Sequence, residues 1–328
     1  MTSPIIDIRD LHVLFKGERT VHALNGVNIT LRQGEVLGLL GESGSGKSVT
    51  LRALLRMLPA HRTRISGSIS VDGQDVLALD EPALEHMRGN VVSMIFQEPM
   101  LALDPVYTIG DQIAETVVRH KGVSYAAGRQ RALDMLEGVR IPSARRRLDA
   151  YPHEMSGGMR QRVAIAIAIA CAPKLLIADE PTTALDVTVQ RQILDLLQGE
   201  QRQRGMAMIL ITHDLGVAAG RSDDIMVMYA GRAVETAATR EIFRSPRMPY
   251  TEALLRSLPR LTDPTHTRLS AIPGRPPDLA RRSAGCAFGP RCLYRTERCD
   301  TDQPALTMDG GRGYACFYPR GMEPGGTA

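Results

Sequence analysis

The chain has no apolar run long enough to cross a bilayer. Its longest unbroken stretch, Val163–Ala172, falls far short of the ~20 residues a spanning helix needs and reads instead as a buried helix. A leader is missing too: the N-terminus MTSPIIDIRDLHV carries acidic residues and lacks a basic start followed by an apolar block, so neither a secretory nor a transit signal is expected. Surplus charge is slight, since 40 Lys+Arg against 36 Asp+Glu leave a formal +4, too little to argue for nucleic acid. A cytoplasmic location is expected on these grounds. Thiols there stay reduced, so the five cysteines are expected to be free, catalytic or metal-bound before they are disulfide-bonded. With 43% hydrophobic and 23% charged residues, the 328-residue chain can hold one large α/β domain with a small appendage, or two modest domains.

The rest is organised around one stretch. Val36–Leu40 is apolar throughout, the pattern of a strand buried on both faces, and Gly41-Glu42-Ser43-Gly44-Ser45-Gly46-Lys47-Ser48 fits G-x-x-x-x-G-K-[ST] at every fixed position. Ser48 and Val49 then open a helix. Backbone N–H groups of such a loop curl round a β-phosphate, the helix N-terminus adds partial positive charge, Lys47 reaches the β/γ-phosphates, and the Ser48 hydroxyl can ligate Mg²⁺. A flexible Gly/Ser turn is the alternative, and the strand–loop–helix context argues against it.

Ile5–Phe15 and Val27–Leu31 read as strands of an antiparallel edge, with Phe15 placed where it could stack on an adenine face, although a plain core role fits it as well. The P-loop helix stops by Pro59, and 67–73 reads as a strand ending in an Asp-Gly turn. Val91–Phe96 is a second buried strand, delivering Gln97 into a Glu-Pro loop. From Thr108 the pattern turns helical, over Ile109–His120 and Tyr125–Arg140, and returns at Ser156-Gly157-Gly158, where a new helix begins and an anion would be welcome. An apolar strand from Lys174 ends in Asp179-Glu180, acids suited to Mg²⁺ and to a water beside the γ-phosphate. Asp186, an amphipathic helix Val187–Arg204, and the strand Ala207–Thr212 closing on His213 follow.

Taken in that order, the P-loop, Gln97, Ser156–Gly158, Asp179-Glu180, Asp186 and His213 resemble the nucleotide-binding domain of ATP-binding cassette proteins from about Ile5 to Val234. The resemblance implies an α/β P-loop NTPase fold, with a RecA-like core sheet, an antiparallel β-subdomain and an inserted helical subdomain at about 104–170. It implies ATP and Mg²⁺ at Phe15, Gly41–Val49, Gln97, Asp179 and His213, the ion being held by Ser48, Gln97 and Asp179. It implies Glu180, His213, Gln97 and Lys47 as catalytic residues: Glu180 polarises the attacking water, Gln97 also couples to a transmembrane partner, and His213 is a γ-phosphate switch. Ser156, Gly157, Gly158 and Asp186 are implied to act across a dimer, so that a chain with one P-loop and one such signature must dimerise. Met159 stands where many family members carry Gln.

The tail narrows the resemblance. Arg247-Met248-Pro249-Tyr250-Thr251, then Ile272–Leu279, then Gly285-Cys286-Ala287-Phe288-Gly289-Pro290-Arg291-Cys292 look like the C-terminal extension of oligopeptide/dipeptide import ATPases, with Met248 where a His is usual. A cassette domain over 1–260 and an extension over 261–328 are therefore expected. The extension is rich in Pro, Gly and Arg and poor in apolar periodicity, so something must tie it down. Cys171 reads as a small core residue, whereas Cys286, Cys292, Cys299 and Cys316 all fall in the tail, at a C-x₅-C-x₆-C-x₁₆-C spacing that leaves Zn²⁺, an iron–sulfur cluster and disulfides open. The resemblance points to a structural [4Fe–4S] cluster, with zinc as the alternative. Loss of the tail's order is expected to leave the P-loop's affinity for ATP unaltered.

Function follows as the energising subunit of a membrane importer of short peptides, peripheral on the cytoplasmic face of the inner membrane. The resemblance implies as partners a second, related ATPase subunit, two transmembrane permeases and an extracytoplasmic peptide-binding protein. Two rivals are a nickel or other small-solute importer and a soluble cassette ATPase acting on ribosomes or DNA. The second rival is opposed by the single cassette and the short helical insertion without sustained heptads.

Overall fold

In the computed structural model, residues 3–97, 102–183, 185–258, 271–281 and 283–321 are described. The Glu-Pro loop after Gln97 and the expected boundary at 260/261 lie outside them. Strands β1 (Ile6–Phe15) and β2 (Val21–Leu31) are followed by β3 (Val36–Leu40) and helix α1 (Lys47–Leu54), then by β4 (Thr63–Val71), β5 (Gln74–Asp75), α2 (Glu81–Asn90) and β6 (Val92–Ile95). Next come helices α3 (Ile109–Lys121), α4 (Tyr125–Gly138), α5 (Ala144–Arg147) and α6 (Gly157–Ile169), strand β7 (Leu175–Asp179), helix α7 (Val187–Arg204) and strand β8 (Ala207–Ile211). The chain closes with α8 (Leu215–Arg221), β9 (Asp224–Tyr229), β10 (Arg232–Ala238), α9 (Thr239–Arg244), α10 (Pro249–Arg256), α11 (Arg298–Thr301) and the short strands β11 (Thr307–Asp309) and β12 (Arg312–Tyr314). Two compact units divide it: Met1–Ile6, Thr30–Val36 and Ser70–Ile211 form one; Asp7–Ile29, Leu37–Ile69 and Thr212–Ala328 the other.

The first unit is built on parallel strands β6, β7 and β8. β7 and β8 are buried at every position, as strands covered on both faces must be. Their register sets Ile95 beside Ala178 and Ala178 beside Leu210, so the residues two steps further on emerge together at one sheet edge. The helices start where local chemistry dictates. Thr108 Oγ1 accepts from the Asp111 N–H at 3.3 Å to begin α3, and Ser124 Oγ accepts from the Ala127 N–H to begin α4. α7 is bounded by Asp186 at its start and by Gly205, in the left-handed region, at its end. Helix α6 is apolar nearly all round and correspondingly buried.

In the second unit β3 pairs in parallel with β9, β10 runs antiparallel to β9, and the tail adds β12 against β10, Glu235 opposite Tyr314, with β11 beyond it. The tail is therefore not short of core. Phe288 and Ala315 are buried in one apolar cluster with Tyr229, Tyr250 and Met248, and the Tyr229, Tyr250 and Phe288 rings lie 4.5–5.4 Å apart in tilted and edge-on pairs. Glu235, 1% exposed, accepts from the Arg247 and Met248 N–H groups at 2.6 and 2.9 Å, and Arg312 from the tail faces it at 3.7 Å. An aromatic cluster and an added strand pair thus anchor a segment that its composition presents as unanchored.

Candidate functional site

The glycine-rich loop Gly41–Ser48 lies in the second unit. Gly41 follows β3 with φ +146°, and a Cβ there would lie 2.3 Å from the Met228 carbonyl oxygen, so only glycine turns this corner. Lys47, the first residue of α1 and 8% exposed, donates its Nζ to the Gly41 carbonyl at 2.7 Å and the Glu42 carbonyl at 3.1 Å, while Ser45 Oγ lies 3.4 Å away. Ser43 and Gly44 are exposed, Ser45 and Gly46 buried, and Ser48 and Val49 half-buried. A buried ammonium, a helix N-terminus and an exposed turn of small residues converge here, the chemistry of a polyphosphate site. In the same unit, Phe15 is half-buried at the end of β1, and His213 is exposed just before Asp214, whose carboxylate caps α8.

The first unit carries the acids. Asp179, 9% exposed, ends β7. Glu180 follows with φ +47°, a left-handed conformation that costs a non-glycine residue energy and that clusters at working sites. Its N–H donates to the Ile211 carbonyl at 3.0 Å. The strand register brings Gln97 beside it: Gln97 Nε2 donates to Glu180 Oε2 at 3.0 Å, and Thr183 Oγ1 donates to the same oxygen at 3.0 Å. Two neutral donors on one carboxylate oxygen fix its direction without neutralising it.

Elsewhere in that unit Ser156 caps α6, its Oγ accepting from the Met159 N–H at 3.3 Å, and Asp186 caps α7, its carboxylate accepting from the Val189 N–H at 2.9 Å. The two caps border one cavity, also lined by Gly158, Val189 and the guanidinium-bearing Arg140 and Arg162. Gly158 is required by close approach, because a Cβ there would meet Val189 Cγ1 at 2.8 Å. Burial and the neighbouring Arg140 push the Arg162 guanidinium below its usual range.

All four tail cysteines line a single cavity in the second unit, together with Phe288 and Phe317. None is disulfide-bonded, and Cys171 is 1% exposed in the core as expected. Burial pushes the Cys286 and Cys292 thiols up and that of Cys316 to about 11. The Tyr294 and Tyr318 N–H groups donate to Cys292 and Cys316 Sγ at 3.4 Å, and Thr296 Oγ1 lies 3.6 Å from Cys299 Sγ. Among the described residues, no three or more His, Cys, Asp or Glu side chains gather closely enough to hold one metal ion. The four thiols converge on one shared space. Soft donors with N–H groups aimed at sulfur are a donor set suited to a thiolate-bound metal group.

Two contacts carry no signal in the sequence. Thr183 sits in a loop with no motif of its own. Arg291 is separated by 249 positions from its partner Glu42; only its placement between two cysteines marked it.

Comparison with known proteins agrees with these features. Residues 24–183 match the model of the ABC transporter family, and residues 234–299 match that of the oligopeptide/dipeptide transporter C-terminal region. A Brucella melitensis protein named as a peptide import ATP-binding protein is 50% identical over 92% of this chain and 93% of its own length. The oligopeptide transport ATP-binding protein OppD of Salmonella typhimurium is 48% identical over 96% of this chain and 94% of its own. Among solved structures, the dimeric ATP-binding cassette MJ0796 in a post-hydrolysis state with ADP and Pi superposes with a TM-score of 0.64 at 28% identity, covering 72% of this chain and 99% of that one. CbiO1 of Clostridium perfringens, part of the ABC transporter complex cbiONQ, gives a TM-score of 0.64 at 28% identity, over 74% and 91%.

Proposed function

The chain belongs to the ABC transporter family, and we propose that it is the ATP-hydrolysing subunit that energises import of short peptides through partner permeases. The observation that carries this reading is the union, in one chain, of the Gly41–Ser48 cradle with a C-terminal region of the oligopeptide/dipeptide transporter type. On this reading partner permeases supply the translocation path; among the described residues no helix is long and apolar enough to cross a membrane.

The residues divide the work. The N–H groups of Gly41–Val49 cradle the phosphates, Lys47 neutralises the β/γ-oxygens, and Phe15 stacks on the adenine. By the cassette resemblance Ser48, Gln97 and Asp179 would hold Mg²⁺, which would supply Lewis-acid neutralisation of the phosphates. Glu180, oriented by Gln97 and Thr183, accepts a hydrogen bond from the attacking water and takes up its proton as the water oxygen bonds to the γ-phosphorus and the bond to the β–γ bridging oxygen breaks, releasing ADP. His213 contacts the γ-phosphate. Ser156, Gly157 and Gly158, with Asp186 beside them, act on the nucleotide of a second ATPase subunit, which completes the site in a dimer. The division of the chain at 260/261 and the peripheral placement on the cytoplasmic face belong to the same reading.

Cys286, Cys292, Cys299 and Cys316 would hold a [4Fe–4S] cluster as a structural staple of the tail. Anaerobically purified protein should then be brown and contain acid-labile sulfide, and Cys292→Ser should bleach it. Colourless protein with stoichiometric zinc would replace the cluster by an ion.

The test of the main reading is affinity purification of the tagged chain from membranes. Two multi-span permeases and a related ATPase are the expected companions; ribosomal proteins or DNA ends in their place would refute it.

A further inference from the structure

Arg291 reaches from the tail into the phosphate-binding loop. Its guanidinium grips Glu42 as a fork, Nη1 to Oε2 at 2.6 Å and Nη2 to Oε1 at 2.9 Å, and the arginine side chain is 4% exposed against 27% for the glutamate. The fork is fixed in rotation. Nε donates to the Pro273 carbonyl at 2.8 Å, Nη1 also reaches Tyr229 Oη at 3.3 Å, and Cζ lies 5.9 Å from the Tyr229 ring centroid. Glu42 is held from its backbone as well: its N–H donates to Tyr250 Oη at 2.9 Å, and its carbonyl accepts from Lys47 Nζ at 3.1 Å and the Ser45 N–H at 3.2 Å.

A carboxylate is the wrong charge for a loop that receives a polyphosphate. Glu42 occupies a variable position of the motif, directly after Gly41, so an unpaired acid there would repel the anion the cradle exists to bind. The paired arginine cancels that charge, and the planar two-point grip pins the side chain of a loop residue whose carbonyl also orients Lys47. Arg291 ends the short turn Gly289–Arg291 between Cys286 and Cys292, so the turn that frames the thiol cavity also supplies this grip.

We propose that Arg291 is a positioning residue of the nucleotide site, which neutralises Glu42 and holds the P-loop in its binding geometry from the tail. The inference rests on the reading of Gly41–Ser48 as the ATP cradle. It departs from the expectation that the tail and the P-loop's affinity are independent.

The test is titration of the purified chain with mant-ADP and Mg²⁺. Arg291→Met should raise Kd by roughly tenfold, about 1.4 kcal/mol. Adding Glu42→Gln to it should return Kd to within about threefold of wild type, because the bare carboxylate is the cause of the loss. In steady-state hydrolysis the single variant should raise KM for ATP more than it lowers kcat, since the cradle's grip is shared by ground state and transition state. A merely structural role for Arg291 would not be rescued by changing Glu42. Thermal melting shows whether Arg291→Met is folded; if it is not, Arg291→Gln, which keeps a donor for Pro273, gives the same comparison with and without Glu42→Gln. Wild-type affinity in the folded single variant, or a loss that Glu42→Gln leaves untouched, overturns the proposal. Lys47→Ala separates the two levels: if it loses mant-ADP while Arg291→Met does not, this inference fails alone; if it binds as wild type, the cradle reading falls and takes the inference with it.

Discussion

Gln97 Nε2 and Glu180 Oε2 meet at 3.0 Å because Ile95 and Ala178 are register partners in parallel strands, and each functional residue lies two steps beyond its partner. A strand register thus fixes which way the Glu180 carboxylate faces relative to Gln97. Glu180→Gln keeps the shape and loses the charge that holds the water's proton. It should bind Mg-ATP near wild-type affinity, hydrolyse it about 10²- to 10⁴-fold more slowly, and accumulate as an ATP-bound dimer. Phosphate release and size-exclusion chromatography check this; near wild-type turnover would remove Glu180 as the water-positioning group.

Gln97→Ala breaks one of two donors to that oxygen and leaves Thr183 in place. Nucleotide affinity should change by less than about threefold, whereas peptide uptake with the permeases should fall by more than turnover does. Uptake that keeps pace with hydrolysis in this variant would deny Gln97 a coupling role.

Gly158→Ala should collide with Val189 Cγ1 and displace α6 from α7 at their capped starts. Mant-ADP binding should persist, ATP hydrolysis should drop at least tenfold, and Val189→Ala in the same chain should restore most of it by opening the missing space. An inactive double variant would show that glycine is needed there for some reason other than room.

How far the sequence anticipates this structure depends on where the chemistry is local. Val36–Leu40 and Val187–Arg204 are recovered at their predicted bounds, because one is wholly apolar and ends at a glycine motif and the other lies between Asp186 and Gly205. Val27–Leu31 proves to be the end of a longer strand from Val21, whose earlier half mixes polar and apolar residues without strict alternation. β9 and β10 go unannounced, since short apolar runs suit helix and strand alike and pairing decides between them. β12 exists only through its partners β10 and β11. The P-loop, signature and acidic motifs were legible for the same reason as the caps: their meaning lies in neighbouring residues. The bond between Arg291 and Glu42 is made by folding alone.

The helical segment should respond to acid through Asp111. Burial would raise its carboxyl, but hydrogen bonds from Tyr125, Thr108 and Arg129 and the Arg129 charge hold it below its ordinary value of 3.8. A depressed folded-state value means that its stabilisation is complete above 3.8 and is lost as the pH falls through the lower, folded-state value. Asp111→Asn should therefore melt below wild type at neutral pH, and the gap should narrow as acid is added below that value. A gap that is constant with pH would assign the stabilisation to shape rather than charge.

The most direct test of the whole account is uptake of a radiolabelled tripeptide into proteoliposomes holding this chain with its copurified permeases, ATP and Mg²⁺ in the lumen and the binding protein outside. Accumulation should require luminal ATP and vanish with Glu180→Gln. Accumulation that proceeds equally with the Glu180→Gln chain, or ATP hydrolysis that never moves peptide, would contradict it.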